Sequence, residues 1–406
     1  MTNWSETVGT TPRGRPLGQA QGPAPTFEEE INDLRLRGLY RKLRTLTDYQ
    51  GTRVKSEGKE IVLFCGNDYL GLSRHPEVVR AAQEAVKRYG VGAGASRLIS
   101  GTSDIHTQLE QKIAHFKRKE AALVFGSGYL ANVGVLSALA REGDLIVMDK
   151  LSHASLIDGA RLSQAEFRVF PHKNYEKCEE IIVGARSPRP YRRILLVSDS
   201  VFSMDGDSAD LPQLIAIKEK YNCLLLIDDA HGLGVCGPEG RGATEGLEEK
   251  IDLIVGTLSK ALGVLGGFVA GSGILIEHLI NFSRPFIFAT APPAAFLAAA
   301  GEALQIIQNS SSLRQKLWKN VDEVQNFLKE KGFVFENRSP IIPLIIGDEK
   351  KTAQISELLL EKGILIPAIR YPSVAKGKAR LRLTLSALHN GEDLEKLSQA
   401  LKIFSR

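Results

Sequence analysis

The stretch Leu224-Leu-Leu-Ile-Asp-Asp-Ala-His231 places a continuous apolar run directly before polar side chains. Between about residues 120 and 272, similar short runs alternate with longer segments of helical periodicity, and these runs lie at 121–125, 145–148, 194–197, 253–255 and 268–270. Strands that are apolar throughout have both faces covered, which is typical of a mostly parallel sheet between helices. The sequence therefore predicts an α/β fold built on such a sheet.

The composition is that of an ordinary globular protein. The chain has 406 residues, of which 43% are hydrophobic and 24% charged, so it is long enough for two domains. A formal net charge of +5 gives no reason to expect nucleic acid as a partner. The stretch from Phe286 to Leu304 carries no charge until Glu302, but Pro292-Pro293 interrupts it, so we expect no membrane span.

The cysteines show neither a C-x-x-C pair nor metal-ligand spacing with histidine; they are Cys65, Cys178, Cys223 and Cys236. We therefore expect reduced thiols, no metal site and a cytoplasmic protein.

The chain is predicted to contain four segments. Residues 1–26 are rich in proline and lack the apolar core of a signal peptide, so we expect a flexible N-terminal arm. Residues 27–60 form an N-terminal helix segment, with a helical pattern from Phe27 to Thr47. Residues 61–295 form a large domain and residues 296–406 a smaller α+β domain, with strands expected at 333–335, 341–346, 364–366 and 380–384.

Polar residues follow several of the predicted strands. Ligands of parallel sheets bind beyond the carboxyl ends of the strands, and His153, Ser203, Asp228 and Lys260 each come shortly after such an end. Partial desolvation and nearby cations lower the pKa of a lysine and make its amine a nucleophile toward carbonyl groups. A lone lysine at a strand end is usually a solvated surface residue, so the convergence of the set indicates a site.

Three of these residues suit a pyridine aldehyde such as pyridoxal 5'-phosphate. That cofactor needs an amine for its aldehyde, an anion for its ring nitrogen, a flat cover for the ring and donors for its phosphate. Lys260 supplies an amine, and Asp228 supplies a carboxylate that keeps the ring nitrogen protonated by charge attraction. His153 can cover the ring. The sequence therefore predicts a pyridoxal 5'-phosphate site.

A phosphate site is predicted where a helix begins. Ser127, Gly128 and Tyr129 precede a helical pattern and present small residues and free backbone N–H groups, although an ordinary helix-starting turn has the same sequence. Thr257 and Ser259 flank the lysine and add hydroxyl donors.

Two further side chains can reach the phenolic oxygen of the cofactor, namely His231 and Ser203. Taken singly, a histidine after a strand is more often a satisfied polar residue, and a serine in such a loop is usually a turn residue. The glycine-dense run from Gly90 to Arg97 follows no strand pattern, so it predicts either a substrate-lining loop or a backbone kink.

These motifs stand together in the order found in one family, and they are Asn67-Asp-Tyr-Leu-Gly71, Asp149-x3-His153, Phe202-Ser-Met-Asp-Gly206, Asp228-x2-His231 and Gly256-Thr-Leu-Ser-Lys-Ala-Leu-Gly263. From about Phe27 onward the chain resembles the α-oxoamine synthase family of fold type I pyridoxal-phosphate enzymes. Where that family often has Glu after the ring-nitrogen aspartate, this chain has Asp229.

The resemblance implies a seven-stranded, mostly parallel sheet in the large domain. It also implies an acyltransferase reaction in which a small amino acid condenses with an acyl thioester and carbon dioxide is lost. Members are homodimers, so the resemblance implies a homodimer in which Thr290 donates to the cofactor phosphate of the partner subunit. A non-catalytic relic of the fold is the alternative from another class, but such relics usually lose the lysine or the aspartate, and both are present here.

The C-terminal region bears on the substrates. The runs 367–373 and 380–389 are most similar to a branch of the biotin pathway that joins L-alanine to a pimeloyl thioester, carried either on CoA or on an acyl carrier protein. Arg370 favours this branch, whereas Lys376-Gly-Lys-Ala-Arg380 resembles the branch that transfers an acetyl group to glycine. Both branches stay open.

The resemblance also assigns substrate-binding and catalytic roles. Arg382 alternates with leucines on a strand-like stretch, so its guanidinium needs a carboxylate partner, and with Asn67 it is assigned the amino-acid carboxylate. The acyl substrate is assigned to Arg41, for which Arg44 is the alternative, with Arg370 and Ser373. Lys260 is expected to be the base, Asp228 to support the ring, and His153 to contact the substrate as ring cover or proton relay.

Overall fold

The computed structural model describes residues 26–185, 191–336 and 338–404. The predicted N-terminal arm lies outside the described residues except for Thr26. The chain divides into two compact units. Among the described residues, the large unit contains 67–185, 191–203 and 207–317, and the small unit contains 26–66, 204–206, 318–336 and 338–404. The domain boundaries given by the sequence stay a prediction.

The strands are short, and they are β1 Thr47–Gln50, β2 Arg53–Ser56, β3 Lys59–Leu63, β4 Ala121–Phe125, β5 Leu145–Asp149, β6 Glu166–Phe170, β7 Ile194–Asp199, β8 Leu224–Asp228, β9 Leu253–Thr257, β10 Gly267–Gly271, β11 Ile341–Gly347, β12 Ile364–Leu365, β13 Ala368–Ile369 and β14 Ala379–Thr384.

The helices are α1 Phe27–Leu36, α2 Pro76–Tyr89, α3 Asp104–Phe116, α4 Gly128–Leu139, α5 Ala154–Leu162, α6 Tyr175–Gly184, α7 Leu211–Tyr221, α8 Gly273–Phe282, α9 Arg284–Ile287, α10 Ala294–Asn309, α11 Ser312–Glu330, α12 Glu349–Glu361 and α13 Gly391–Ala400. In the part of the chain that the structure describes, none of the helices combines the length and the apolar character that crossing a membrane requires.

The large unit is built on a seven-stranded sheet with the order β4-β10-β9-β8-β7-β5-β6. The pairs between β5, β6, β7, β8 and β9 are parallel, and β10 alone runs antiparallel to its two neighbours. The predicted α/β fold with a mostly parallel seven-stranded sheet is confirmed. The sequence missed β6, because its exposed Glu166 and partly exposed Arg168 break the apolar run on this edge strand.

Helices cover both faces of this sheet. Ile146 and Met148 belong to one buried cluster together with side chains of α4, α5, α8 and α9. Leu145 and Val147, which alternate with them along β5, belong to a second cluster with side chains of α6 and α7. Because successive side chains of a strand point to opposite faces, the sheet is the middle layer of three.

The small unit has an α+β structure with two sheets, ordered β1-β2-β3-β12 and β11-β14-β13. Helix α1 ends at Leu36, earlier than the predicted Thr47, because Gly38 adopts a left-handed φ of 67° that stops the helix. The expected strand at 333–335 is absent. Val334 in its middle is 90% exposed and packs against no sheet.

Candidate active site

A cavity of about 230 Å³ opens at the carboxyl ends of β5, β7, β8 and β9 in the large unit. Parallel strands bring these ends to one edge of the sheet, as the sequence predicted. Every predicted cofactor residue except Ser203 and Thr290 lines the cavity, whose walls are Ser127, Gly128, Tyr129, Asn132, His153, Ser155, Asp199, Asp228, Ala230, His231, Val255, Gly256, Thr257, Ser259 and Lys260.

Asp228 is the last residue of β8 and its carboxylate is held on both sides. Oδ1 accepts the backbone N–H of Ala230 at 2.9 Å, and Oδ2 accepts the side-chain amide of Asn132 at 2.6 Å. The residue is 5% exposed. The carboxylate therefore faces the cavity in one fixed orientation, as a partner for a cationic ring nitrogen requires.

Lys260 lies on a tight turn directly after β9. Its carbonyl oxygen accepts the N–H of Gly263 at 2.9 Å, and Gly263 adopts a left-handed φ of 71°. A Cβ at Gly263 would lie 2.3 Å from the backbone nitrogen of Ser73, so only glycine fits there. This turn leaves Lys260 half-buried on the cavity wall, where its positive charge acts on His153 and Asp199.

The first turn of α4 forms another wall. Ser127 is the N-cap of this helix and accepts the N–H of Leu130 at 3.1 Å, so the free N–H groups of the first turn point toward the cavity edge. Gly128 approaches Thr257 so closely that a Cβ would lie 3.2 Å from that side chain. The hydroxyl groups of Thr257 and Ser259 form a hydrogen bond of 2.7 Å. This combination of a helix N-terminus and hydroxyl donors suits a phosphate.

Two histidines stand on the cavity wall. His153 caps α5, and its Nδ1 lies 2.7 Å from the hydroxyl of Ser155. Partial desolvation lowers the pKa of His153; the charge of Lys260 acts in the same direction, and that of Asp228 opposes both. The buried His231 places its Nδ1 2.8 Å from the Tyr69 hydroxyl.

The sequence did not single out four residues that complete this arrangement. Asn132 lies one helical turn after Gly128 and so shares its face of α4, a periodicity that would have revealed it. Asp199 is the register partner of Asp228 at the end of β7. Burial raises the pKa of Asp199 well above its usual range, and the adjacent charge of Asp228 adds to this effect. Ser155 and Tyr69 are the other two.

Ser203, Asn67 and Thr290 lie outside the cavity lining. Ser203 is half-buried in the loop after β7. Asn67 accepts a 3.3 Å hydrogen bond from the Tyr69 hydroxyl. Thr290 is exposed and pairs with Ser96 in a short antiparallel bridge.

The predicted acyl-substrate residues belong to the small unit, where three of them lie together. Arg370 donates to the backbone carbonyl of Gly38 and, through its own carbonyl, accepts the N–H of the exposed Ser373 at 3.0 Å. Burial lowers the pKa of Arg370, and the positive charge of Arg41 lowers it further. The alternative residue Arg44 instead lies 3.5 Å from Glu357.

Two other arginines of the small unit lie on β14. Arg382 is 6% exposed and opposes Pro343 in the sheet. Burial raises the pKa of the Cys65 thiol to about 11, and the positive charge of Arg382 opposes this rise. Arg380 is also buried, and it forms a 2.5 Å ion pair with Asp205.

Comparison with known proteins agrees with this geometry. The family model for aminotransferase class I and II matches residues 59–401. The chain is 47% identical over 377 residues to the 8-amino-7-oxononanoate synthase of Geobacter sulfurreducens, covering 92% of this chain and 96% of that protein. It is 44% identical over 383 residues to the protein of the same name from Thermoanaerobacter pseudethanolicus, covering 94% and 96%.

Solved structures show the same fold. A serine palmitoyltransferase from S. paucimobilis superposes with a TM-score of 0.86 at 31% identity, over 92% of this chain and 95% of that one. The 8-amino-7-oxononanoate synthase from Francisella tularensis superposes with a TM-score of 0.72 at 29% identity, over 85% and 96%. These likenesses confirm the predicted fold type I architecture. The chain belongs to the aminotransferase class I and II family, and its predicted resemblance to the α-oxoamine synthases within that family is confirmed.

Proposed function

We propose that this protein condenses L-alanine with a pimeloyl thioester to give 8-amino-7-oxononanoate, carbon dioxide and a free thiol, a step of biotin synthesis. The observation that carries the proposal is the convergence of Lys260, Asp228, His153 and the start of α4 on one cavity. Relatives that bear the name of this synthase match more than nine-tenths of the chain at 43–47% identity, which supports this reaction over others of the family.

The cavity fits pyridoxal 5'-phosphate by the chemistry of its donors. The Lys260 amine suits the aldehyde, the fixed carboxylate of Asp228 suits the protonated ring nitrogen, and the start of α4 with Thr257 suits the phosphate. The Oδ1 atom of Asn132 is buried and has no hydrogen-bond partner among the described residues, so the cavity wall still offers one hydrogen-bond acceptor. When bound, the cofactor supplies an electron sink for charge that develops at the amino-acid Cα.

The side chains of the protein bind and orient the amino acid and the cofactor, and they transfer the proton of the amino-acid Cα. Lys260 lies on the cavity wall at a strand end, so its amine is positioned to take the Cα proton at Nζ and to return a proton after carbon dioxide leaves. The His153 ring lies on the same wall and is assigned to the cofactor face, while His231 and Ser203 are assigned to the phenolic oxygen. The amino-acid carboxylate is assigned to Arg382 and Asn67.

The small unit favours a pimeloyl over an acetyl group. Arg370 and Arg41 lie close enough for their like charges to interact, and the charge of Glu349 offsets this repulsion only in part, so a further anion beside them is favourable. A pimeloyl thioester ends in a free carboxylate, whereas an acetyl thioester has none. A carboxylate between two guanidinium groups is a strong charge-assisted contact.

A homodimer is the assembly we propose. Val91, Ile99 and Phe288 each expose more than two-thirds of their surface in the large unit. The bridge between Ser96 and Thr290 brings two of these segments side by side. Exposed apolar side chains gathered in this way are typical of a protein interface, and Thr290 within it is our candidate donor to the partner's cofactor phosphate.

We further propose a cytoplasmic protein, since its four cysteines are free. Either CoA or an acyl carrier protein delivers the acyl group, and the experiment below tests both.

The test crosses amino acids with acyl donors. The purified holoenzyme is mixed with alanine, glycine or serine and with pimeloyl-CoA, a pimeloyl carrier protein or acetyl-CoA, while thiol release and product mass are followed. We expect turnover with alanine and a pimeloyl donor. Turnover restricted to glycine and acetyl-CoA would replace the proposal with glycine C-acetyltransferase, and silence with every pair would favour a non-catalytic relic.

A further inference from the structure

One ring nitrogen of His153 contacts both the hydroxyl group and the backbone nitrogen of Ser155. The Nδ1 atom lies 2.7 Å from the Ser155 hydroxyl oxygen and 3.3 Å from the Ser155 backbone nitrogen. A backbone N–H can only donate, so Nδ1 accepts a hydrogen bond. A ring nitrogen that accepts carries no proton of its own, which places the single proton of a neutral ring on Nε2.

Asn132 directs the Ser155 hydroxyl toward the histidine. Its side-chain nitrogen lies 2.6 Å from Asp228 Oδ2 and 2.9 Å from Ser155 Oγ. An ionised carboxylate only accepts, so the NH₂ group of Asn132, and not its oxygen, faces Asp228. Each amide hydrogen then serves one oxygen atom. Because Ser155 Oγ already receives a hydrogen from Asn132, its own hydrogen is left for His153 Nδ1.

The series of donors from Asn132 through Ser155 to His153, here called the chain of donors, is short, rigid and buried. Ser155 is fully buried and Asn132 is 1% exposed. The far end is fixed by Asp228, whose other oxygen is bound to the backbone N–H of Ala230. The backbone N–H of His153 donates to Asp199 at 3.0 Å, which fixes the near end. The direction of every hydrogen is therefore set from the acceptor-only carboxylate outward.

We propose that Asn132 and Ser155 are positioning residues that hold His153 as the neutral tautomer protonated at Nε2. This inference rests on the proposed function, because it decides which atom of His153 can take part in the reaction. In that form the ring donates from Nε2 and cannot take up a proton at Nδ1 without breaking the contact with Ser155. His153 then serves as a donor to developing negative charge, and the task of the base falls to Lys260.

The direct test is the tautomer itself. Solid-state ¹⁵N NMR is recorded on holoenzyme with ¹⁵N-labelled histidine, and the signals of His153 are assigned by their loss in His153→Gln. We expect an unprotonated Nδ1 and a protonated Nε2 at neutral pH. A proton on Nδ1, alone or together with one on Nε2, overturns the proposal. This result needs no variant of Ser155 or Asn132.

Ser155→Ala tests the chain of donors. We expect a second set of His153 signals with Nδ1 protonated, together with a fall in kcat at unchanged KM for alanine. The matched control is Ser137→Ala on α4, whose hydroxyl bonds the Val133 carbonyl and which lies outside the cavity lining. It should leave the His153 signals and kcat unchanged. Ser155→Ala keeps the backbone N–H that lies 3.3 Å from Nδ1. A Ser155→Ala enzyme with only the original tautomer would show that this N–H suffices, which overturns the role proposed for the Ser155 hydroxyl and Asn132, even if the activity falls.

Asn132→Leu provides a second, independent variant. It removes the donor to Ser155, so the serine hydroxyl is free to turn away from His153 and the same second set of signals is expected. The tautomer is read without turnover. A wild-type protein that shows the Nε2 proton but does not condense alanine with a pimeloyl thioester would refute the proposed function alone.

Discussion

Lys117 and Asp229 form a 2.8 Å ion pair in which neither side chain is exposed to solvent. The Lys117 ammonium also donates to the backbone carbonyl of Arg241, and Asp229 accepts the Ser200 hydroxyl at 2.7 Å. Since Asp229 directly follows Asp228, this pair anchors the segment that carries the carboxylate of the cavity. No sequence pattern indicates this pair, because the two residues are separated by more than a hundred positions and Lys117 follows an ordinary helix.

Lys117→Met is expected to destabilise the protein strongly. It leaves Asp229 buried without its counter-charge, which typically costs about 3–5 kcal/mol of unfolding free energy. Urea unfolding of the holoenzyme measures this loss. Lys112→Met, at an exposed position of α3, the helix that Lys117 follows, is the control and should change stability by no more than about 0.5 kcal/mol. Equal losses in the two variants would contradict the role given to the ion pair.

Gly242→Ala tests how tightly the backbone surrounds Asp229. A Cβ at Gly242 would lie 1.8 Å from the Asp229 carboxylate, and the residue has a φ of 112°. Gly246 also has a positive φ, of 83°, but a Cβ there meets nothing within 4 Å. Both alanine variants carry the backbone strain, about 1–3 kcal/mol, whereas overpacking adds about 1–3 kcal/mol at Gly242 alone. Thermal unfolding should rank Gly242→Ala clearly below Gly246→Ala, and the reverse order would refute the crowding.

Stability should fall in alkaline solution because of His172. Its Nδ1 lies 2.9 Å from Asp149 and its Nε2 2.8 Å from Asp207. Burial lowers the pKa of His172, but hydrogen bonds to the two carboxylates and their charges outweigh it and raise this pKa to about 9. The unfolded value is about 6.5. The folded form therefore binds the proton more tightly, so the stabilisation is complete below about pH 6.5 and is lost as the pH rises through 9.

The size of this effect is about 3 kcal/mol, from the difference between the two pKa values. Unfolding of the wild type and of His172→Gln is compared on either side of this pH window. The variant should be less stable than the wild type at the lower pH, and the two should converge at the upper end. His115→Gln, at an exposed position, serves as control. A constant gap between wild type and His172→Gln across the window would show that His172 is uncharged in the folded protein.

The prediction from sequence worked best where one rule governs the structure. Continuous apolar strands identified the parallel sheet, and residues after strand ends identified the cavity, since Asp228 and Lys260 depend on local order along the chain. The search for continuous apolar runs missed β6, an edge strand with one open side. The predicted helix from Phe27 to Thr47 was too long at its C-terminal end, because Gly38 stops α1 although the helical periodicity continues.

The missed residues of the cavity depend on packing between elements. Asn132 matters because α4 crosses near the end of β8, so its amide meets Asp228 across 96 positions of the chain. Asp199 matters because β7 and β8 pair in a register that sets it beside Asp228. Neither distance follows from composition or from spacing, although Asp199, like Asp228, stands at the end of a predicted strand.

Lys260→Ala is expected to abolish turnover without preventing cofactor binding. Proton transfer by a positioned side chain supplies roughly 10²–10⁴-fold in rate, and the covalent link to the cofactor is lost as well, so kcat should fall by at least about 10³-fold. Asp228 and the start of α4 are intact in the variant and should still hold the cofactor. Borohydride reduction of wild-type holoenzyme, followed by peptide mapping, should place the cofactor on Lys260. Lys250→Ala, at an exposed position before β9, should behave as wild type. Substantial turnover in Lys260→Ala, or an unmodified Lys260 after reduction, would exclude this lysine as the group that binds the aldehyde and moves the proton.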